Sequence, residues 1–435
     1  MLQLFSSGLI SLWLDVVGVH TKPLDVLKLL ASQSIPGLVL VPDPSPTGAT
    51  TVQQYLKGLE ALKLSPREQG VWIQSGAMLL ANHQGTVPLP AASLTKIATS
   101  LVALKTWGPN YQFETLVSTT GPVQSGVLHG DLVVQGSGDP FFIWEDAIAL
   151  GNRLNQMGIN YVTGNLVITD NFAMNYKDYP SLAGQLLKQG LNAASWPSAT
   201  AAKYLKNLPQ GTPRPRVVIA GSVQVGWVPK QILLLRHRSL PLAQIIKEMN
   251  TYSNNEMAQM LANSLRGAQS VQEQAALASG VPQSEIQMVN GSGLGVENRI
   301  SPRAVCAMFM AIQRELLTYR LSVADLFPIA GRDHRGTVET RHIPADTVIK
   351  TGTLNSVSAL AGVMPTRDRG LVWFVIINRG ANVTGLRSGQ DQLLQRLLQQ
   401  WRVAPALPTA IIPHAISNPT GQLGAAQRNQ ILYKG

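Results

Sequence analysis

The sequence holds one cysteine in 435 residues, Cys306, which excludes an intramolecular disulfide framework and any cysteine-rich zinc site. Its setting, Ala304-Val305-Cys306-Ala307-Met308-Phe309, reads as a buried small hydrophobe rather than a nucleophile. Histidine is sparse too: seven are spread from His20 to His414 without an HExxH pairing, so no metal-ligand set is visible. Aromatic residues make up only 6% of the chain and charged residues 14%. With few rings to stack on bases, and basic residues scattered rather than in runs, nucleic acid is not an expected partner. No apolar run reaches the roughly 20 residues that a membrane-spanning helix needs. The uncharged stretch 1–14 includes Gly8-Leu9-Ile10-Ser11-Leu12-Trp13-Leu14 but has no preceding Lys or Arg and no small-x-small site after it. An export or membrane signal and an ordered apolar segment therefore both stay open. The phosphate-cradling loop and the Gly-x-Ser-x-Gly nucleophile elbow are absent as well, so Gly136-Ser137-Gly138 and Gly291-Ser292-Gly293 read as tight turns.

What is present describes a folded chain. Apolar residues make up 45% and mean hydropathy is +0.08, enough for a large core and, at about 150 residues per domain, for two or three domains. Lys and Arg exceed Asp and Glu by 35 to 24, a net charge of +11, which attracts anionic partners and leaves open peripheral contact with a membrane or another anionic surface. Three prolines in Pro42-Asp43-Pro44-Ser45-Pro46 mark a linker, giving an N-terminal apolar segment and linker over 1–49. Val71-Trp72-Ile73 and Ala77-Met78-Leu79-Leu80 read as paired strands, and Leu94, Ile97, Ala98, Leu101 and Val102 recur at the spacing of an amphipathic helix. Glycine turns between short β runs predict a β-rich insert over 115–228. It divides a main domain into 50–114 and 229–403. Late in that domain 348–353, 359–364 and 371–377 predict one antiparallel sheet, covered by the apolar face of Leu393, Leu394, Leu397, Leu398 and Trp401. Residues 404–435, rich in Pro, Gly, Asn and Gln, read as a surface tail.

Three short motifs carry chemistry. Ser93-Leu94-Thr95-Lys96 places a hydroxyl in the first turn of a helix with an amine three residues on, on the same face, and a desolvated amine can take a serine's proton. Ser253-Asn254-Asn255 offers a hydroxyl to relay a proton and an amide to bond substrate backbone and lysine, although Ser253 also reads as an N-cap. Lys350-Thr351-Gly352-Thr353 ends a strand along which an extended peptide can lie. Lys350 supplies positive potential and the Thr353 hydroxyl a hydrogen bond for a terminal carboxylate, Thr351, Gly352 and Thr353 line the substrate, and the N–H groups of Ser93 and Thr353 are candidates for an oxyanion hole.

In this order the three motifs resemble the Ser-x-x-Lys, Ser-x-Asn and Lys-Thr-Gly triplet of penicillin-binding proteins and serine β-lactamases. Ser93 and Ser253 lie 160 positions apart, an interval that must hold an inserted domain. The chain thus resembles the low-molecular-mass class C penicillin-binding proteins, the S13 family of D-alanyl-D-alanine carboxypeptidases. Gly136-Ser137-Gly138-Asp139-Pro140, Gly291-Ser292-Gly293-Leu294 and Asn298-Arg299-Ile300-Ser301-Pro302 are similar to further stretches of that family, and the likeness runs over about residues 70 to 400. Asn290 and Asn254 depart from it, each standing where Asp is usual.

The resemblance implies an α/β (α+β) fold of the β-lactamase/transpeptidase type, its antiparallel sheet flanked by helices and interrupted by the β-rich insert. It implies that Ser93 attacks the peptide bond between two terminal D-alanines with Lys96 as base, while Ser253, Asn255 and Lys350 assist proton transfer and positioning. It also implies a peptidoglycan stem peptide as substrate, β-lactams as covalent inhibitors, no metal or organic cofactor, and a place outside the cytoplasmic membrane. A D-alanyl endopeptidase, a serine β-lactamase and a non-catalytic wall-binding penicillin sensor remain alternatives. Oligomeric state is not readable from the sequence.

Overall fold

The computed structural model describes residues 40–198, 208, 211–414 and 421–433, so the apolar stretch 1–14 lies outside the described residues. Along the chain, β1 (Val41–Pro42) and α1 (Thr47–Ala61) lead into the hairpin β2 (Gln69–Ser75) and β3 (Met78–His83), then α2 (Thr95–Trp107). Next come β4 (Glu114–Thr119), β5 (Leu132–Ser137), α3 (Trp144–Gln156), β6 (Leu166–Asn171), α4 (Pro180–Gly190), β7 (Val223–Val225) and β8 (Ile232–Arg238). Helices α5 (Leu242–Tyr252), α6 (Asn255–Ser264), α7 (Ala268–Ser279) and α8 (Pro302–Leu317) precede β9 (Val348–Leu354), β10 (Val357–Thr366), β11 (Gly370–Arg379), α9 (Val383–Trp401) and the late strand β12 (Asn429–Ile431).

The main sheet has the order β1-β3-β2-β11-β10-β9. It is antiparallel throughout except for β1, which comes from the expected linker and pairs in parallel with β3. Every residue of β10 is buried, and its side chains divide by the period of two that a strand imposes. Val357, Ala359, Ala361 and Val363 join one core with α2 and α8, whereas Leu360 and Met364 join another with Leu393, Leu394, Leu397 and Trp401 of α9. The sheet is thus a middle layer with helices on both faces. Helix α2 departs from the amphipathic expectation: Thr95 to Leu104 are all buried, because α7 and α8 pack against it and its polar side chains Lys96, Thr99 and Ser100 bond inward. Thr99 donates to Gly291 O at 2.8 Å, and Asn250 Nδ2 to Ser100 Oγ at 3.2 Å.

The second sheet, β7-β6-β5-β4-β8-β12, is mixed, with β5, β6 and β7 parallel and β4, β8 and β12 joined antiparallel. Three features differ from expectation. The insert is an α/β unit rather than purely β-rich, since Ala147, Leu150, Leu154, Ala183 and Leu187 from α3 and α4 bury themselves in its core. Its sheet runs on through β8 to Arg238, past the expected boundary at 228. Finally, 404–435 is more than a surface tail, for β12 pairs with β8 and Arg428 is buried against Asp146 with both side chains 1% exposed. Among the described residues no helix is long and apolar enough to cross a membrane.

Candidate active site

Ser93 sits on a single 3-10 turn, Ala92–Leu94, just ahead of α2 rather than within it. Two glycines grip this turn. At Gly352 of β9 a Cβ would lie 3.0 Å from both Ala91 O and Ser93 N, and at Gly293, where φ is +84°, it would collide with Ala92 O. Only hydrogen fits at Gly293, and a Cβ at Gly352 would make its neighbours give by a few tenths of an ångström, so the strand and the 291–295 loop close on the serine from both sides. Ala92 itself has φ +48°, a costly conformation for a residue with a Cβ. The turn leaves Ser93 half-buried while Leu94 to Lys96 are wholly buried.

Lys96 Nζ reaches three oxygens: Ser93 Oγ at 3.0 Å, Asn255 Oδ1 at 2.7 Å and the Ser292 carbonyl at 2.7 Å. Burial pulls its pKa down to about 7, with Glu256 pulling weakly the other way, because an amine without water around it resists a charge. Lys350, the third residue of β9, is fully buried and donates to Ser253 Oγ at 2.9 Å and to Thr351 O at 2.8 Å. Its pKa also falls well below the usual lysine value, first through burial and then through the nearby charge of Lys96.

The corner between α5 and α6 supplies the middle motif. Ser253 ends α5 in the left-handed region (φ 55°, ψ 39°), and the N-cap of α6 is Asn254, whose side chain accepts from Met257 N at 2.9 Å. The cap expected at Ser253 therefore falls one residue later, freeing the Ser253 hydroxyl for Lys350. Asn caps a helix as well as Asp does, which accounts for Asn254. Asn255, first in α6, turns its amide to Lys96.

Five of the expected residues, Ser93, Lys96, Ser253, Asn255 and Lys350, are thus linked by hydrogen bonds into two chains of contact, and Gly352 packs against the Ser93 turn. Thr351 Oγ1 donates to Thr337 Oγ1 at 2.8 Å, while Thr353 stands exposed at the strand's end with Arg387 donating to its hydroxyl at 2.7 Å. Sequence reasoning passed over the Ser292 carbonyl, Thr337 and Arg387, and noted Asn290 only as a departure from the usual Asp. Asn290 orders the loop: Oδ1 accepts from Ser292 N, Ser292 Oγ and Gly293 N at 2.8–3.1 Å, and Nδ2 donates to Leu294 O at 2.7 Å. A carboxylate could make the first three bonds but not the fourth.

A three-layer fold with a half-buried serine beside two buried amines defines a serine peptidase of the penicillin-binding type. The chain belongs to the D-Ala-D-Ala carboxypeptidase 3 (S13) family, whose model matches residues 52–193 and 180–400. It is 23% identical over 406 residues to the D-alanyl-D-alanine carboxypeptidase DacB of Haemophilus influenzae, a match covering 71% of this chain and 84% of that protein. Among solved structures, a predatory endopeptidase from Bdellovibrio bacteriovorus, acylated by penicillin G and in complex with an immunity protein, superposes with a TM-score of 0.71 at 21% identity. That match covers 83% of this chain and 98% of the other. Penicillin-binding protein 4 (dacB) from Haemophilus influenzae matches with a TM-score of 0.59 at 20% identity, covering 80% and 99%. These likenesses agree with the α/β fold expected from the motifs.

Proposed function

We propose that Ser93 is the nucleophile and Lys96 its base in a D-alanyl-D-alanine carboxypeptidase acting on peptidoglycan stem peptides. The observation that carries this reading is the set of oxygens around Lys96. A neutral amine has two N–H groups and one lone pair. Asn255 Oδ1 and the Ser292 carbonyl can only accept, so they take both N–H groups, and the lone pair faces Ser93 Oγ. A pKa near 7 keeps much of the amine neutral at working pH, as a general base requires. Ser93 Oγ adds to the carbonyl between the two D-alanines and its proton passes to Lys96. The oxyanion rests on the N–H groups of Ser93 and Thr353. The C–N bond then breaks as a proton reaches the leaving nitrogen through Ser253, which Lys350 holds. D-Alanine departs, and water hydrolyses the acyl-serine ester. A peptidoglycan substrate supports a site of action outside the cytoplasmic membrane.

The same atoms cut a D-alanyl cross-link, and the fold is shared with a named endopeptidase. Release of D-alanine from a free pentapeptide, set against digestion of cross-linked muropeptides, separates the two activities. The first test is intact-protein mass after exposure to benzylpenicillin. The native chain should gain one penicilloyl group and Ser93→Ala none, whereas an adduct that persists on the variant overturns the assignment. Rapid turnover of the drug without an adduct would indicate a β-lactamase instead.

A further inference from the structure

Ser253 and Lys350 meet at 2.9 Å, although one ends α5 and the other belongs to β9. Ser253 is also held at φ 55° and ψ 39°, a backbone shape that is costly for a residue with a Cβ. A third segment ties the two elements together. In the single 3-10 turn Gly336–Val338, Gly336 has φ +72° and lies so close to the end of α5 that a Cβ there would collide with Thr251 O. Thr337 Oγ1 donates to the same carbonyl at 3.4 Å and accepts from Thr351 Oγ1 at 2.8 Å. Just ahead of the turn, Arg335 bonds Glu248 of α5 at 2.7 and 3.3 Å and lies 5.7 Å from the centre of the Tyr252 ring.

Thr251 is wholly buried, and its carbonyl falls in the last turn of α5, where no helical N–H remains to meet it. Thr337 supplies a donor there. One hydroxyl thus spans the residue after Lys350 and the residue two before Ser253, accepting from one and donating to the other. A valine of similar size can do neither. Neither bond is to Ser253 or Lys350 itself, so Thr337 acts on them through their neighbours.

The step that depends most on a well-placed Ser253 is cleavage of the C–N bond. The bonding pair leaves with nitrogen, which takes the Ser253 hydroxyl proton, and the proton that Lys96 took from Ser93 restores that hydroxyl. A departing thiolate is far less basic than a departing amide nitrogen and needs no such proton. We propose that Thr337 is a positioning residue that holds Ser253 against Lys350 for proton delivery to the leaving nitrogen; this rests on the reading of Ser93 and Ser253 given above.

The test compares diacetyl-L-lysyl-D-alanyl-D-alanine with its thioester analogue, in which sulfur replaces the nitrogen of the last residue, in the native chain, Thr337→Val and Thr337→Ser. Loss of the two hydroxyl bonds predicts that Thr337→Val lowers kcat/KM for the peptide about tenfold. The thioester should be nearly unaffected, so the peptide-to-thioester ratio falls about tenfold, and Thr337→Ser, which keeps the hydroxyl, restores it. Thr337→Ala reads the same ratio should the valine methyl disturb the turn. A Thr337→Val or Thr337→Ala protein with native thermal stability and an undiminished ratio overturns the proposal. So does a loss that is equal on both substrates, which would mark a structural role. Failure of the underlying reading looks different: the native chain would release no D-alanine and form no penicilloyl adduct at Ser93.

Discussion

Replacing Lys96 by methionine should abolish acylation of Ser93 and, separately, flatten the dependence of stability on pH. An unfolded lysine holds its proton up to a pKa near 10.5, whereas the folded Lys96 lets go near 7 because burial disfavours the charge. Between those values the unfolded chain binds more protons, so stability rises with pH across the window and the burial cost is greatest below it. Integrated over roughly pH 7 to 9, Lys96 alone accounts for about 2 kcal/mol of that rise. Methionine removes the titration while filling a similar volume. It leaves Asn255 Oδ1 and the Ser292 carbonyl without their donor, at about 1–3 kcal/mol each if water does not reach them. The absolute change in stability therefore mixes opposing terms, while the slope isolates the proton. Lys350 adds a slope of the same sign in both proteins, and the part of its shift that comes from the charge of Lys96 disappears with that charge. Urea unfolding at several pH values gives the comparison, and parallel curves for the two proteins would refute the argument. In the native enzyme the acylation rate should rise with pH about a midpoint near 7, as the amine becomes a free base.

Two further substitutions probe the scaffold. Gly352→Ala puts a methyl 3.0 Å from Ala91 O and Ser93 N, so the turn must shift. Benzylpenicillin acylation should slow at least about tenfold with a stability loss of about 1–3 kcal/mol, and a native acylation rate would contradict the packing argument. Arg428→Met leaves buried Asp146 without its cation, a loss of about 3–5 kcal/mol visible as a lower thermal midpoint, and a change of less than about 1 kcal/mol would mean that the pair contributes little.

Side-chain chemistry was the legible part of this site. Two hydroxyls, two amines and an amide in three short motifs can be read because their residue types are rare in combination, and the structure brings each within hydrogen-bonding reach of another. The Ser292 carbonyl left no such trace, since every residue carries one and only the fold decides where it points. Arg387, which donates to Thr353, lies on a helix whose apolar face, not its rim, was the visible pattern. In the fold, the β9–β11 meander was readable from continuous apolar runs between turns. The strand β12 was not: Asn429-Gln430-Ile431 is too short and too polar to show a period, and it exists because β8 offers an edge. Helices α3 and α4 were hidden by the glycine turns around them, although Ala147, Leu150 and Leu154 carry helical spacing.

That late strand bears on how the protein is made. His237 Nδ1 of β8 hydrogen-bonds Asn429 Oδ1 at 2.9 Å, a partner 192 positions further along the chain. During synthesis the edge of β8 therefore waits, unpaired and open to wrong partners, until nearly the whole described sequence has left the ribosome. The insert's sheet cannot finish early as an independent unit, and a fusion placed directly after β12 would press on its final folding step rather than hang from an inert end.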